Sequence, residues 1–134
     1  MAIKYDTTTR NAMLDALNTR IGASGRLRIY NGTRPANVGT AITSQTMLAE
    51  LTCNATAFAA AASGGVLTAN AISNGTAAAT GTASWCRVFQ SNGTTAIADA
   101  DVATSGSDLN LNNTSIATGQ TVSVTSFTIT DGNG

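Results

Sequence analysis

At 134 residues the chain has the usual size of one domain and can bury one hydrophobic core. Charged residues make up 10% of it, against about 25% in an ordinary soluble domain, and seven basic residues balance seven acidic ones. This balance leaves no large cluster of positive charge, so we expect no direct binding of nucleic acid. A net charge near zero favours association with other surfaces.

Missing and rare residue types exclude several kinds of site. The sequence contains no histidine, which removes the commonest general base and the usual catalytic zinc ligand. The two cysteines, Cys53 and Cys86, are too few for a disulfide scaffold, and we interpret both as buried free thiols. We therefore predict no catalytic residue, no metal site and no cofactor.

We expect neither a membrane span nor an export signal in this sequence. Residues 1–6 lack the basic and apolar regions of a signal peptide. The Ala-rich window of residues 55–62 is far shorter than the roughly 18 apolar residues of a membrane span. We expect a soluble protein that is made in the cytoplasm and does not contact a membrane.

One helix is predicted, at residues 7–21. Its apolar residues recur at the spacing that lines one helix face, and they are Met13, Leu14, Leu17 and Ile21. Asp6 or one of the threonines that follow it can cap the beginning, and Gly22 stands where a left-handed C-cap belongs. The helix is expected to end there.

Residues 26–30 alternate strictly and predict a half-buried strand. Leu27 and Ile29 share one face, while Arg26, Arg28 and Tyr30 share the other. The dipeptide Asn31-Gly32 then predicts a turn, and residues 33–43, with Pro35 and Gly39, predict an ordered loop.

The middle of the chain predicts further strands. In residues 47–53 we expect Met47, Ala49, Leu51 and Cys53 to face inward, with Glu50 on the wetter face; a helical turn around Leu48 is the alternative. Residues 55–62 favour a strand, although alanine also suits a helix. The composition of the longer stretch at residues 54–82 would also fit a flexible linker. Residues 66–72 predict a strand that ends in a tight hairpin turn at Asn74-Gly75.

The last third is predicted to continue the sheet. Residues 85–90 form a bulky strand that we expect to be covered on both faces, and residues 94–99 are its hairpin partner. Leu109 and Leu111 indicate a short strand. Apolar positions change phase at Ser126, which predicts a β-bulge or a strand that bends between sheets.

These elements predict a mainly β protein, an antiparallel sandwich or barrel of short strands with one N-terminal helix. We expect residues 1–134 to form a single domain, with the helix at 7–21 and strands and turns at 26–130. The predicted core residues are Leu27, Ile29, Trp85, Val88, Phe89, Phe127 and Ile129.

The acidic residues of this sequence give only weak signals for a cation site or a glycosidase site. Asp99 and Asp101 share a face if their segment is extended, and a cation or a glycosidic bond could lie between such acids. We favour the simpler interpretation that they solvate a hairpin edge. The tail at residues 131–134 resembles a calcium loop but lacks its further acids.

A local cluster of positive charge surrounds the first strand. Arg26, Arg28 and Arg34 lie close together in sequence, with Tyr30 between them. They form either a solvated strand face or a docking site for an acidic protein surface. We list them as candidate docking residues.

Residues 1–5, the segment 26–35 and the Thr/Ala/Gly-rich β region together resemble small virion proteins of tailed bacteriophages, most closely the head decoration, or cement, proteins. The resemblance implies copies on the outer surface of the capsid, bound to the major capsid protein and bridging capsomers. It also implies a homo-oligomer, a trimer or a dimer. A tail or fibre-associated phage protein that binds a host surface is the alternative, and a small carbohydrate-active enzyme is a third hypothesis.

Overall fold

The computed structural model describes residues 3–58 and 62–131. Over these residues the chain forms one helix and eleven strands. Their bounds are α1 Thr7–Ile21, β1 Arg26–Tyr30, β2 Met47–Thr52, β3 Val66–Thr68, β4 Gly75–Thr76, β5 Gly81–Thr82, β6 Trp85–Phe89, β7 Ala96–Ala103, β8 Leu109–Leu111, β9 Ser115–Ile116, β10 Thr121–Val122 and β11 Val124–Thr130. The protein is mainly β with an N-terminal helix, which confirms the predicted class.

Helix α1 has the predicted bounds and caps. The Asp6 carboxylate accepts a hydrogen bond from the Thr9 N–H at 2.9 Å, and Gly22 ends the helix with a positive φ of 73°. The predicted apolar face is narrower than expected, because Leu14 and Ile21 are buried whereas Met13 is 43% exposed. The placement of Met13 was therefore wrong.

Seven strands form the main sheet, in the order β2-β1-β6-β7-β8-β11-β3. All its pairings are antiparallel except β7–β8, so the sheet is mixed rather than wholly antiparallel. The parallel pair arises because the short connection after Ala103 brings Leu109 back beside Val102, so that β8 starts in the direction of β7. The predicted β6–β7 hairpin is confirmed.

The core lies on the face of the main sheet that carries Leu27 and Ile29, where Leu14 and Ile21 of α1 join the same cluster. Of the predicted core residues, Ile129 is only partly buried, and the other six are buried. Phe58, which stands alone in the sequence, packs against Phe127 with ring centroids 5.5 Å apart. Leu51 is buried as predicted, and further buried side chains outside the predicted core are Leu48, Leu67, Leu109, Leu111 and Val122.

The predicted alternation of β2 holds from Ala49 to Thr52 but fails at the first two residues of the strand. Met47 is an exposed residue rather than an inward one, and Leu48 is fully buried. The register shifts between Ile29 and Tyr30, and the backbone of Leu48 accepts a hydrogen bond from Ala78 at 2.7 Å. The shifted register places Leu48 in the core cluster together with Ala49, while Glu50 and Thr52 stay on the wetter face as predicted.

Two small two-stranded sheets, β4–β10 and β5–β9, pair segments that are distant in sequence. The sequence had predicted a local hairpin turn in this region instead. The predicted hairpin at Asn74-Gly75 is wrong, since Gly75 pairs with Val122 of β10. A Cβ on Gly75 would lie 2.7 Å from the Glu50 carbonyl oxygen, so close packing on β2 requires glycine there.

Two predicted strands are shorter or irregular. The strand expected at 66–72 ends at Thr68, and Ala69 only bridges Phe58. That bridge is the β structure in the described part of the 55–62 segment, and residues 59–61 lie outside the described residues. The predicted irregularity near Ser126 is confirmed, because the β11–β8 register shifts between Val124 and Ser126.

Candidate functional site

Four charged side chains lie in one row across four neighbouring strands of the main sheet. Cross-strand partners project from the same face, and the register pairs each member with the next. From β2 to β7 this charged row consists of Glu50, Arg28, Arg87 and Asp99. The charged row lies on the sheet face opposite the core. Because only 10% of the residues of the chain are charged, four charged side chains in one row concentrate charge on this face.

At the β2 end of the charged row, Glu50 binds two arginines. Its carboxylate accepts hydrogen bonds from Arg26 at 2.8 Å and from Arg28 at 2.6 Å. These bonds, the one from Arg28 above all, hold the pKa of Glu50 below its ordinary value of 4.5. The guanidinium of Arg28 also lies 4.5 Å from the centre of the Phe89 ring, a cation–π contact. Both arginines are therefore held in fixed orientations.

At the β7 end, Arg87 and Asp99 form a buried ion pair. Two guanidinium nitrogens of Arg87 donate to the two oxygens of Asp99 at 2.7 and 2.9 Å. The side chains are only 5% and 6% exposed, and the pair raises the pKa of Arg87. Arg87 also donates to the Thr40 carbonyl at 2.9 Å, so it attaches the loop of residues 31–46 to the sheet.

Tyr30 and Trp85 fill the space beneath that loop. Their rings stack with centroids 4.6 Å apart, and the Trp85 indole N–H donates to the Asn31 carbonyl at 3.0 Å. Burial raises the pKa of Tyr30. Tyr30 was a candidate docking residue, but the structure buries it, with its ring stacked against Trp85.

Asp99 and Asp101 share a strand face, as predicted, but they do not act as a pair. Asp99 is bound to Arg87, whereas Asp101 is exposed and lies 3.3 Å from Arg34. The interpretation that Asp99 solvates a hairpin edge was wrong, because its carboxylate is buried. Both of its oxygens are occupied by Arg87, so they are not presented to a sugar or a cation.

This face is accessible at a window around Arg26 and Arg28, in addition to the exposed pair Arg34–Asp101. The β6–β7 hairpin borders it, since Arg26 donates to the Ser91 carbonyl at 3.0 Å and a Cβ on Gly93 would meet Arg28 at 2.8 Å. The side chains of Arg26 and Arg28 remain 42% and 25% exposed, and one Glu50 carboxylate serves both. The window thus keeps a net positive charge and can bind carboxylates.

The remaining titratable groups lie elsewhere. Cys53 and Cys86 are free and buried, as predicted, and burial raises the pKa of Cys53 to about 11 and that of Cys86 further. In the described ranges no three Cys, Asp or Glu side chains come together as a metal site requires. The calcium-like tail cannot be compared, since residues 132–134 lie outside the described residues.

Comparison with known proteins adds no relative. No family model matches the chain, and neither the curated proteins nor the solved structures contain a match. Across residues 3–58 and 62–131, no helix has both the length and the apolar character needed to cross a membrane.

Proposed function

We propose that the protein is a decoration protein of a bacteriophage head, which binds the assembled capsid and stabilises it by bridging capsomers. The sequence resemblance suggests this class, and the window around Arg26 and Arg28 supports it most directly. Half of the charged residues of the chain lie on or against the face that carries this window. Concentrating scarce charge on one rigid face suits docking on an acidic protein surface.

The mechanism is binding rather than chemistry. A protein that binds the assembled shell but not its separated subunits stabilises the shell by its binding free energy, and many copies on one lattice act together. The rigid arginines favour this role, because Glu50 and Phe89 already hold them and little side-chain entropy is lost on docking. The major capsid protein is the proposed partner.

The test is a binding titration on purified heads that lack the protein. We expect saturable binding that Arg26→Ala with Arg28→Ala weakens, with a larger loss at raised salt. Arg10→Ala is the control, because it removes a positive charge of helix α1, on the other side of the sheet from the arginine window. Binding of the native protein to purified tails but not to heads would contradict the proposal and support the tail alternative. Equal binding by all variants would remove the arginine window from the mechanism.

A further inference from the structure

One edge of β7 lies open inside the main sheet. Strand β6 pairs with β7 from Ala96 to Asp101, but β8 pairs only with Val102 and Ala103. In the part of the chain that the structure describes, no strand lies beside residues 96–100 on the β8 side. Backbone groups alternate in direction along a strand, and Val102 donates toward β6, to Ser84 at 3.1 Å. The backbone of Asp99 therefore points into the opening.

The opening continues between β7 and β11. Strand β8 pairs with β11 only as far as Phe127, after which Thr128 donates to the Asp108 carbonyl at 3.0 Å. Beyond that bond a cavity of about 150 Å³ separates the two strands. It is bordered by Ala98 and Ala100 on one side and by Phe127, Ile129 and Thr130 on the other, with Asp108 also in its wall.

A second concavity lies beside the first residues of β7. It has a volume of about 370 Å³, and helix α1 forms its other wall. It is bordered by Ala16, Leu17, Arg20, Ala96 and Ile97. The open edge of β7 is thus flanked along residues 96–100 by mostly apolar hollows, which we call the β7 groove. Such an edge accepts an extended segment that adds backbone hydrogen bonds and places alternate side chains in the hollows.

The segment before α1 has the matching chemistry. Ile3 is 67% exposed, more than the other large exposed hydrophobics of the described residues, and it lies in a stretch without helix or strand. In an extended chain Ile3 and Tyr5 would point one way and Lys4, the single lysine of the sequence, the other. Lys4 and Asp108 are both exposed, and neither forms an ion pair within the described part of the chain.

We propose that Ile3–Tyr5 of a second copy of the chain docks as an added strand in the β7 groove, with Lys4 beside Asp108. Three extended residues span roughly 10 Å and fit the open edge of five residues. The exposure of Ile3 shows that a chain does not fill its own groove in this structure. The net charge of zero opposes association little. Each copy offers one segment and one groove, so reciprocal exchange gives a closed oligomer.

Mixed disulfide cross-linking tests which chain supplies the segment. An Ile3→Cys chain and an Ile97→Cys chain are mixed under mild oxidation, with the buried native thiols left in place. We expect a cross-linked heterodimer, and we expect none when Met47→Cys, an exposed site away from the groove, replaces Ile97→Cys. No heterodimer, or only an internal disulfide in a chain carrying both Ile3→Cys and Ile97→Cys, would overturn the proposal.

A charge exchange tests the contact itself by sedimentation. Lys4→Glu and Asp108→Lys should each weaken self-association by roughly fivefold, and the two together should restore it. Additive weakening in the double variant would contradict the proposed contact. This inference does not depend on the capsid proposal, since a protein that binds heads as a monomer would refute the exchange and leave the decoration role intact.

Discussion

Individual side chains that face away from the core hold much of this structure together. Trp85 is fully buried, stacks on Tyr30 and donates to the carbonyl of Asn31, although it belongs to the face opposite the main apolar cluster. Asp101, its direct cross-strand partner on β7, is exposed and forms an ion pair with Arg34. Burial, rather than position in the sheet, therefore decides what each residue contributes to the free energy of unfolding.

Truncation of Trp85 tests this contrast. Trp85→Ala should lower the free energy of unfolding by about 3–5 kcal/mol, since it removes a large buried ring and the support of the loop above it. Asp101→Ala should change it by no more than about 0.5 kcal/mol, because an exposed ion pair contributes little. Urea titration measures both. Small, equal effects would show that the Trp85 ring is not buried in solution.

Glu50 gives the charged face a defined dependence on pH. Its pKa is lowered in the folded protein, so the ionised carboxylate stabilises the fold above pH 4.5, its ordinary pKa, and this contribution is lost as the pH falls through the folded value. Glu50→Gln should therefore be less stable than the native chain at neutral pH, and the difference should shrink in acid. A difference in unfolding free energy that stays constant from pH 7 to acid would contradict this account.

At the scale of elements, local patterns predicted what local interactions determine. The caps at Asp6 and Gly22, the alternation of β1 and the turn between β6 and β7 are all contained within a few residues, and the structure confirms them. The burial of Leu48 and the pairing of Gly75 depend on segments far away in sequence. No local pattern signals such contacts, which is why both predictions failed.

The sequence predicted only part of the candidate site, because the rest of the site depends on contacts between distant segments. The alternation of residues 26–30 correctly placed Arg26 and Arg28 on one face. The partner of these arginines, Glu50, lies on β2. The buried pair of Arg87 and Asp99 depends on the register between β6 and β7. Tyr30 is buried against Trp85 of another strand, a contact that no local pattern signals, so the sequence alone gave no sign that this ring is inside.

The attachment of the loop of residues 31–46 can be tested by removing the buried pair. Asp99→Leu alone should cost about 3–5 kcal/mol, because it leaves Arg87 as an unpaired buried charge. Adding Arg87→Leu should recover much of that loss, yet it removes the hydrogen bond to the Thr40 carbonyl. Hydrogen exchange measured by mass spectrometry should then be faster over the loop and unchanged in α1. Unchanged exchange in the loop would show that other contacts hold it.

At the scale of the whole molecule, low charge, a rigid polar face and an open sheet edge favour a protein that works in an assembly. The main sheet fixes the arginine window on one side and places α1 on the other. The window and the β7 groove are separate surfaces, so one could contact the capsid while the other joins copies. A surface lattice requires both kinds of contact.

Heat resistance of phage heads tests the decoration role most directly. Heads assembled without the protein and heads to which purified protein has been added back are warmed in parallel, and released DNA is measured at each temperature. We predict that heads lacking the protein release DNA at a lower temperature and that added protein restores resistance in a saturable way. Equal release from both kinds of head, with no protein bound to the capsid surface, would contradict the account.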